Sequence, residues 1–278
     1  MSFLLFTVLV ALGALAAGFL GSLTGLGGGV VLIPLLVLVF GVDLHYAMGA
    51  SLISVMATSS GAAAAYVKEG YSNIRIGMFL EIATTLGALA GAFMVSIVPA
   101  SGLAIIFGVI LLVSAYLSTR SHADDGANLA PDPLATRLRL DGSYPTPSGP
   151  KAYHVRHVPL GFAIMFVAGV LSGLLGIGSG AIKVLSMDQA MRIPFKVSTT
   201  TSNFMIGVTA AASAGVYLRQ GYIDSRLVMP VMLGVLLGAY LGTHVLLIAK
   251  VRGLRIVFAI VILALGLEMI YKGVFGGL

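Results

Sequence analysis

Apolar runs of helical length recur along this chain, separated by short polar turns: Phe3–Leu20, Ala47–Val67, Ile76–Val98, Leu103–Thr119, Pro159–Leu175, Ser198–Leu218, Leu227–Ile248 and Leu254–Val274. A helix that crosses a bilayer needs about 20 apolar residues, within a range of roughly 17 to 25. All eight runs have that length, and each is predicted to be a membrane-spanning helix. Two shorter apolar runs, Val30–Phe40 and Ala181–Ala190, lie after the first and the fifth long ones. At about 1.5 Å per residue, some 11 residues reach only ~16 Å, half of the ~30 Å hydrocarbon core. These are predicted half-helices, and a glycine cluster precedes each.

The pattern is written twice. A shift of 151 positions lays Ala17–Met94 on Ala168–Val245 without a gap. Gly25, Gly27 and Gly29 fall on Gly176, Gly178 and Gly180, Ser51 on Ser202, Thr58 on Thr209, and Tyr66 on Tyr217. Gly87, Ala88 and Gly91 fall on Gly238, Ala239 and Gly242. Register held over so long a stretch marks an internal duplication. The expected organisation is a first transmembrane repeat over 1–119, a polar Pro/Gly-rich linker over 120–158, and a second repeat over 159–278. Phe3–Gly18 lacks the basic start of a cleaved leader, and its counterpart lies in mid-chain, so it is expected to stay as a span.

Composition fixes the solvent. The chain is 58% hydrophobic and 9% charged, with a mean hydropathy of +1.05, against about 25% charged residues in a soluble domain. The fold class is therefore an all-α polytopic membrane protein. The absence of cysteine excludes disulfides and thiolate metal sites. A pI of about 9.7 reflects loop Lys and Arg, and no nucleic-acid partner is expected. Excess Lys and Arg marks cytoplasmic loops, which puts the linker, with Arg120, Arg137, Arg139, Lys151 and Arg156, in the cytoplasm. If the half-helices complete a crossing, each copy has five passes and the copies are inverted. Lys68, Arg75, Arg192, Lys196, Lys250, Arg252 and Arg255 then join the linker inside, with Arg219, Arg226 and Lys272 outside. If the half-helices turn back, the copies are parallel. The count of basic residues prefers inversion.

The glycine clusters carry the candidate chemistry. Neither fits G-x-G-x-x-G or G-x-x-x-x-G-K-[ST], and no strand precedes them, so nucleotide binding is excluded. Small residues allow close helix packing, which suits Gly87/Ala88/Gly91 and Gly238/Ala239/Gly242. Clusters at Gly25–Gly29 and Gly176–Gly180 do more, because glycine costs roughly 1 kcal/mol per helical position against alanine. They unwind the backbone, which membranes tolerate only where it is buried in protein or lines a polar cavity. Broken helices at corresponding places in two repeats point to a carrier's substrate site. The half-helix N-termini, with free N–H groups and a positive dipole end, suit an anion. Candidate substrate-binding residues are Gly27, Gly28, Gly29, Gly178, Ser179 and Gly180. The helices that follow add hydroxyl and amide groups: Ser51, Ser54 and Thr58 on one face, then Thr201, Ser202 and Asn203. Lys183, in the first turn of the second half-helix where the first copy has Leu32, is an intramembrane charge with a functional expectation. Its alternative is to snorkel to an interface.

The remaining ionisable groups carry less. Glu81, Glu268, His244 and Asp188 lie within about two turns of a predicted helix end and are expected at the interfaces. His45, His122, His154 and His157 are in loops without metal-site spacing. Tyr66, Tyr71, Tyr217 and Tyr222 bracket two basic turns and are expected as interfacial anchors. No serine sits in G-x-S-x-G and no histidines in H-E-x-x-H, so an intramembrane enzyme is not expected, and neither is a metal or cofactor.

The segments "GFLGSLTGLGGGVVLIPLL" and "GVLSGLLGIGSGAIKVL" each precede a hydroxyl-rich helix and a Y-x-x-x-G-Y turn. Together with "TSNFMIGVTAAASAGVY" they resemble the sulfite exporter TauE/SafE family across both repeats. The second copy departs from the first at Ser179, in place of a middle glycine, and at Leu185, opposite Pro34. The resemblance implies a multi-pass carrier of the cell inner membrane. It would move small sulfur-containing anions, sulfite or sulfonates, most often outward, with proton coupling. The lipid bilayer, a small anion and a homodimer are the expected partners. An anion channel along the same glycine-lined path is the alternative.

Overall fold

The computed structural model describes residues 3–22, 28–68, 71–119, 132–146, 149–248 and 251–276. Gly25, Gly27 and His122 lie outside these residues, and so do the side chains of Tyr66 and His244. Eight long helices coincide with the eight apolar runs. They are α1 (Phe3–Ser22), α3 (Leu44–Lys68), α4 (Ile74–Met94), α5 (Ala100–Thr119), α7 (Val158–Leu175), α9 (Phe195–Arg219), α10 (Ser225–Ile248) and α11 (Val251–Phe275). Four of them contain stretches long and apolar enough to cross a membrane by length and composition alone: Leu4–Gly21, Ile74–Met94, Val158–Leu175 and Ser225–Gly242. Hydroxyl side chains lower the hydropathy of α3 and α9, which form the protein's interior.

The half-helices are α2 (Gly29–Pro34) and α8 (Gly180–Leu185). Each continues as a π-helical turn, Leu35–Val39 and Ser186–Ala190. These turns match under the 151-residue shift even though Pro34 faces Leu185 in the alignment, so proline is not the cause of the wide turn. Each half-helix folds back along the long helix before it. Phe6 meets Phe40 edge-on, Ser179 Oγ donates to the Ala168 carbonyl (2.7 Å) and Ser186 Oγ to that of Gly161 (3.2 Å).

Glycine sets the helix pairing. A Cβ on Gly87 or Gly91 would strike the backbone of Phe166 or Val170, and one on Gly169 or Gly173 that of Thr84 or Ala88. The residue numbers climb together, so α4 and α7 run parallel with their backbones in contact. Gly234 and Gly238 set α10 on Ala11 and Leu15 in the same way, so α1 and α10 are parallel too. By contrast α5 and α11 are antiparallel, with Gly108 beside Gly266 and Ile270, and Gly273 beside Ser101 and Ile105. At the centre α3 and α9 are also antiparallel. Gly49 abuts Tyr222, and Ser59 abuts Gly207. Exchanging the two copies therefore leaves the pairing scheme unchanged. Leu4, Leu12, Met78, Ile82, Leu86 and Leu237 stand exposed on the outer helices, as a lipid-facing surface requires.

The linker is not plain loop. It folds a one-turn helix α6 (Pro133–Arg137), capped by Asp132, and an antiparallel hairpin of β1 (Gly142–Thr146) and β2 (Gly149–Tyr153). The hairpin docks on the start of α4. Asn73 caps that helix by accepting from the Ile76 N–H (3.1 Å). Its amide also donates to the Leu140 carbonyl (3.2 Å) and to Tyr153 Oη (2.8 Å). Arg75 donates to the Arg139 carbonyl (3.0 Å). On the other side, the Arg156 N–H donates to the carbonyl of Met191, just past the second half-helix.

Candidate functional site

The second glycine cluster is a true break. Helix α7 ends at Leu175, and Gly176 (φ +69°), Gly178 (φ +71°) and Ser179 (φ +43°) hold left-handed backbone before α8 starts at Gly180. Glycine takes such angles freely, whereas L side chains are strained there. Space is also short. A Cβ on Gly176 would lie 2.7 Å from the Met48 carbonyl oxygen, and one on Gly178 2.9 Å from Ile206 Cγ2. In the first copy Gly28 has ordinary helical angles (φ −64°) and Gly29 opens α2. A Cβ on Gly29 would collide with the Ser51 hydroxyl and come within 3.5 Å of Ile177 Cα. The first half-helix thus begins against the second copy's break, with Ser51 between them.

Hydroxyls knit this junction. Ser51 Oγ donates across the copies to the Gly176 carbonyl (2.8 Å), and Ser202 Oγ to the Gly180 carbonyl (3.3 Å). Ser172 Oγ, one turn before Gly176, is buried without a hydrogen-bond partner among the described residues. Other members of the expected set stand apart. Ser54 and Thr58 donate to carbonyls of their own helix, at Ala50, Ser54 and Val55. Thr201 Oγ1 accepts the Asn73 N–H (3.0 Å) and so belongs to the linker contact. Asn203 is half-buried on α9.

Lys183 is fully buried and does not snorkel within this fold. Its ammonium donates to Thr209 Oγ1, which in turn lies within donating distance of Glu81 Oε1 (2.6 Å) and of the Met205 carbonyl (2.9 Å). Thr85 Oγ1 donates to the same carboxylate oxygen (3.1 Å), while Glu81 Oε2 is buried without a hydrogen-bond partner among the described residues. This corrects the interfacial placement expected for Glu81, which is 7% exposed. Counting turns from the end of α4 misleads because that end is roofed by the linker. Tyr217 is a second correction. It is no interfacial anchor but wholly buried, and its hydroxyl lies 3.0 and 3.2 Å from the Gly173 and Leu174 carbonyls. It thereby serves the last turn of α7, whose carbonyls have no helical partner. Tyr71 and Tyr222 are half-buried, the latter stacked on His45. Glu268 is exposed near the end of α11.

A duplicated helical bundle, apolar outside and hydroxyl-lined where two broken helices meet, is the architecture of a multi-pass membrane transporter. The chain belongs to the sulfite exporter TauE/SafE family, whose model matches residues 10–269. It is 28% identical over 278 residues to the Bacillus subtilis "probable membrane transporter protein YunE", covering 97% of this chain and 99% of that one. It is likewise 28% identical over 236 residues to YdhB of the same organism, covering 84% and 88%. A "probable membrane transporter protein" of Xylella fastidiosa is 25% identical over 258 residues, covering 92% and 91%. No solved structure matches the chain.

Proposed function

We propose that the protein is a secondary carrier of small sulfur-containing oxyanions, sulfite or sulfonates. It moves them outward across the inner membrane by alternating access of two inverted halves. The observation that carries this reading is the seating of the first half-helix start, at Gly29, against the second break at Ile177, with Lys183 in the first turn of the half-helix that follows that break. An oxyanion there gains helix N–H groups, nearby hydroxyls and one full positive charge. The candidate set remains Gly27, Gly28, Gly29, Ser51, Ser54, Thr58, Gly178, Ser179, Gly180, Lys183, Thr201, Ser202 and Asn203. Ser51, Ser202 and Ser172 stand at the junction itself.

Helix direction supports inversion. Helix α4 runs parallel to α7 and also to α9, since Gly77 abuts Thr201 while Glu81 meets Thr209. The tight turn after α9 reverses α10, which runs parallel to α1. Hence α1 opposes α7, α3 opposes α9, α4 opposes α10 and α5 opposes α11. Each member of the duplication points opposite to its counterpart, the arrangement in which the half-helices complete a crossing. With the linker in the cytoplasm, the excess of Lys and Arg falls on that side.

The test is flux in proteoliposomes with sulfite as the tracer and sulfate and methanesulfonate as competitors. Saturation and counter-transport are the expected carrier signature, while non-saturating flux without counter-transport identifies the channel alternative. Proton coupling and a homodimer complete the reading. An imposed pH gradient tests the first and the mass of the purified protein in detergent the second.

A further inference from the structure

We propose that Glu81 is a built-in counter-anion for Lys183, which a substrate anion must displace. The displacement uncouples the two copies of the repeat where they are joined by charge. The inference rests on the anion-carrier reading and deepens it at the same site.

A buried ammonium needs a counter-charge, and in this structure Glu81 supplies it through the Thr209 hydroxyl. Glu81 comes from α4 in the first copy, and Lys183 and Thr209 from α8 and α9 in the second. Under the 151-residue shift the counterparts of Glu81, Thr209 and Lys183 are Met232, Thr58 and Leu32. The charged bridge therefore exists once, on one side of the pseudo-symmetric junction, and its image carries no charge. A structural bridge required by the fold would be expected in both copies. An anion beside Lys183 at the start of α8 would put two negative charges about one ammonium. Like-charge juxtaposition costs several kcal/mol in a dry site, so the anion and the Glu81–Thr209 contact exclude one another. The carboxylate is also poorly held. Oε2 has no donor among the described residues although Glu81 is more than nine-tenths buried, and an unsatisfied buried acceptor is costly. Departure of Glu81 removes a polar tie between α4 and α9, so occupancy of the site and contact between the copies become one event.

The test is anion binding to the purified full chain, followed by calorimetry and by thermal shift, with sulfite, sulfate and methanesulfonate as probes. Glu81→Gln removes the competing charge and should bind the preferred anion about tenfold more tightly than wild type. Lys183→Met should weaken binding by about 10- to 150-fold, and Glu81→Gln combined with Lys183→Met should bind no better than Lys183→Met alone. Glu81→Asp keeps the charge but draws it back by one methylene, so about threefold tightening is expected; it serves if the glutamine variant fails to fold. Equal or weaker binding by the carboxylate variants overturns the proposal, because Glu81 would then support Lys183 rather than compete for it. If the glutamine variant binds an anion but wild type neither binds nor transports one, the counter-anion stands and the carrier reading fails. If no variant binds any of the three anions, both fail.

Discussion

Glu81 and Lys183, more than a hundred residues apart and on opposite copies of the repeat, share the single hydroxyl of Thr209. Lys183 is therefore a held charge and not a free one. Lys183→Met should lower anion affinity by roughly 1.5–3 kcal/mol, the range for a hydrogen bond to a charged group. Lys183→Arg should keep part of the affinity, since guanidinium also pairs oxyanions. Substrate titration of the three proteins in detergent measures this. Unchanged affinity in the methionine variant removes Lys183 from the site.

The glycines of the two breaks should not respond alike. Gly178→Ala forces a side chain into φ +71° at a cost of about 1–2 kcal/mol, with Ile206 in the way. Gly28→Ala keeps ordinary helical angles and needs only a small shift of Val235 Cγ1, 3.2 Å away. The first should lose melting temperature and flux, and the second should stay close to wild type in both. Equal loss in the two would show that backbone angle is not what glycine supplies.

Gly91 and Gly173 let α4 and α7 touch backbone to backbone. Alanine at either should destabilise by about 1–3 kcal/mol, the usual effect of overpacking. Gly215→Ala, on α9 with open space around it, should be neutral or slightly stabilising, because alanine is the better helix former. Thermal unfolding in detergent ranks the three.

Sidedness is open to labelling in whole cells. Cysteines at Ser121 and Gly253 should both be shielded from an impermeant maleimide added outside, and one at Ser225 should react. Labelling of Gly253→Cys but not Ser121→Cys would establish parallel copies.

The linker dock should be sensitive to alkali. Burial raises the Tyr153 pKa above its ordinary 10.0, helped by Asp141 and opposed by the hydrogen bond from Asn73. The docked state holds this proton more tightly than the released one. Its contribution to docking is therefore complete below about pH 10 and lost as pH rises beyond. Trypsin should cut at Arg137, Arg139 and Lys151 faster at high pH, and Tyr153→Phe should remove that pH dependence. A pH response that survives in the phenylalanine variant places its origin elsewhere.

Much of the scaffold was legible because length and apolarity alone decide what crosses a bilayer. The long helices and the two half-helices lie where the apolar runs lie. The break at Gly176–Gly180 was legible because left-handed backbone selects glycine. Partnership was not. Glu81 reads as interfacial when turns are counted along one helix, and only the docked linker and α9 make its position deep. Tyr217 sits at the tip of a basic turn in sequence, yet a neighbouring helix end draws it inward. The hairpin was hidden by Pro145 and Pro150, which argue against a strand. They lie opposite one another in the register, so the two missing donors fall on a single rung.

The hairpin gives the molecule a handedness that its duplicated helices lack. If the copies are inverted as proposed, they would, taken alone, offer the same mouth to either side of the membrane and the same work to open each. Among the described residues the linker is fastened at one end of the bundle, to Asn73 and Arg75 at the start of α4 and to Met191 beyond the second half-helix. At the opposite mouth the residue equivalent to Asn73 is Asp224, which engages the first N–H groups of its own helix. Among the described residues, no linker contact reaches that second end. Under the carrier reading proposed above, rectification, a preference for cargo to leave by one door, would belong to this polar insert, and grafting or deleting it would be a way to reverse or erase it.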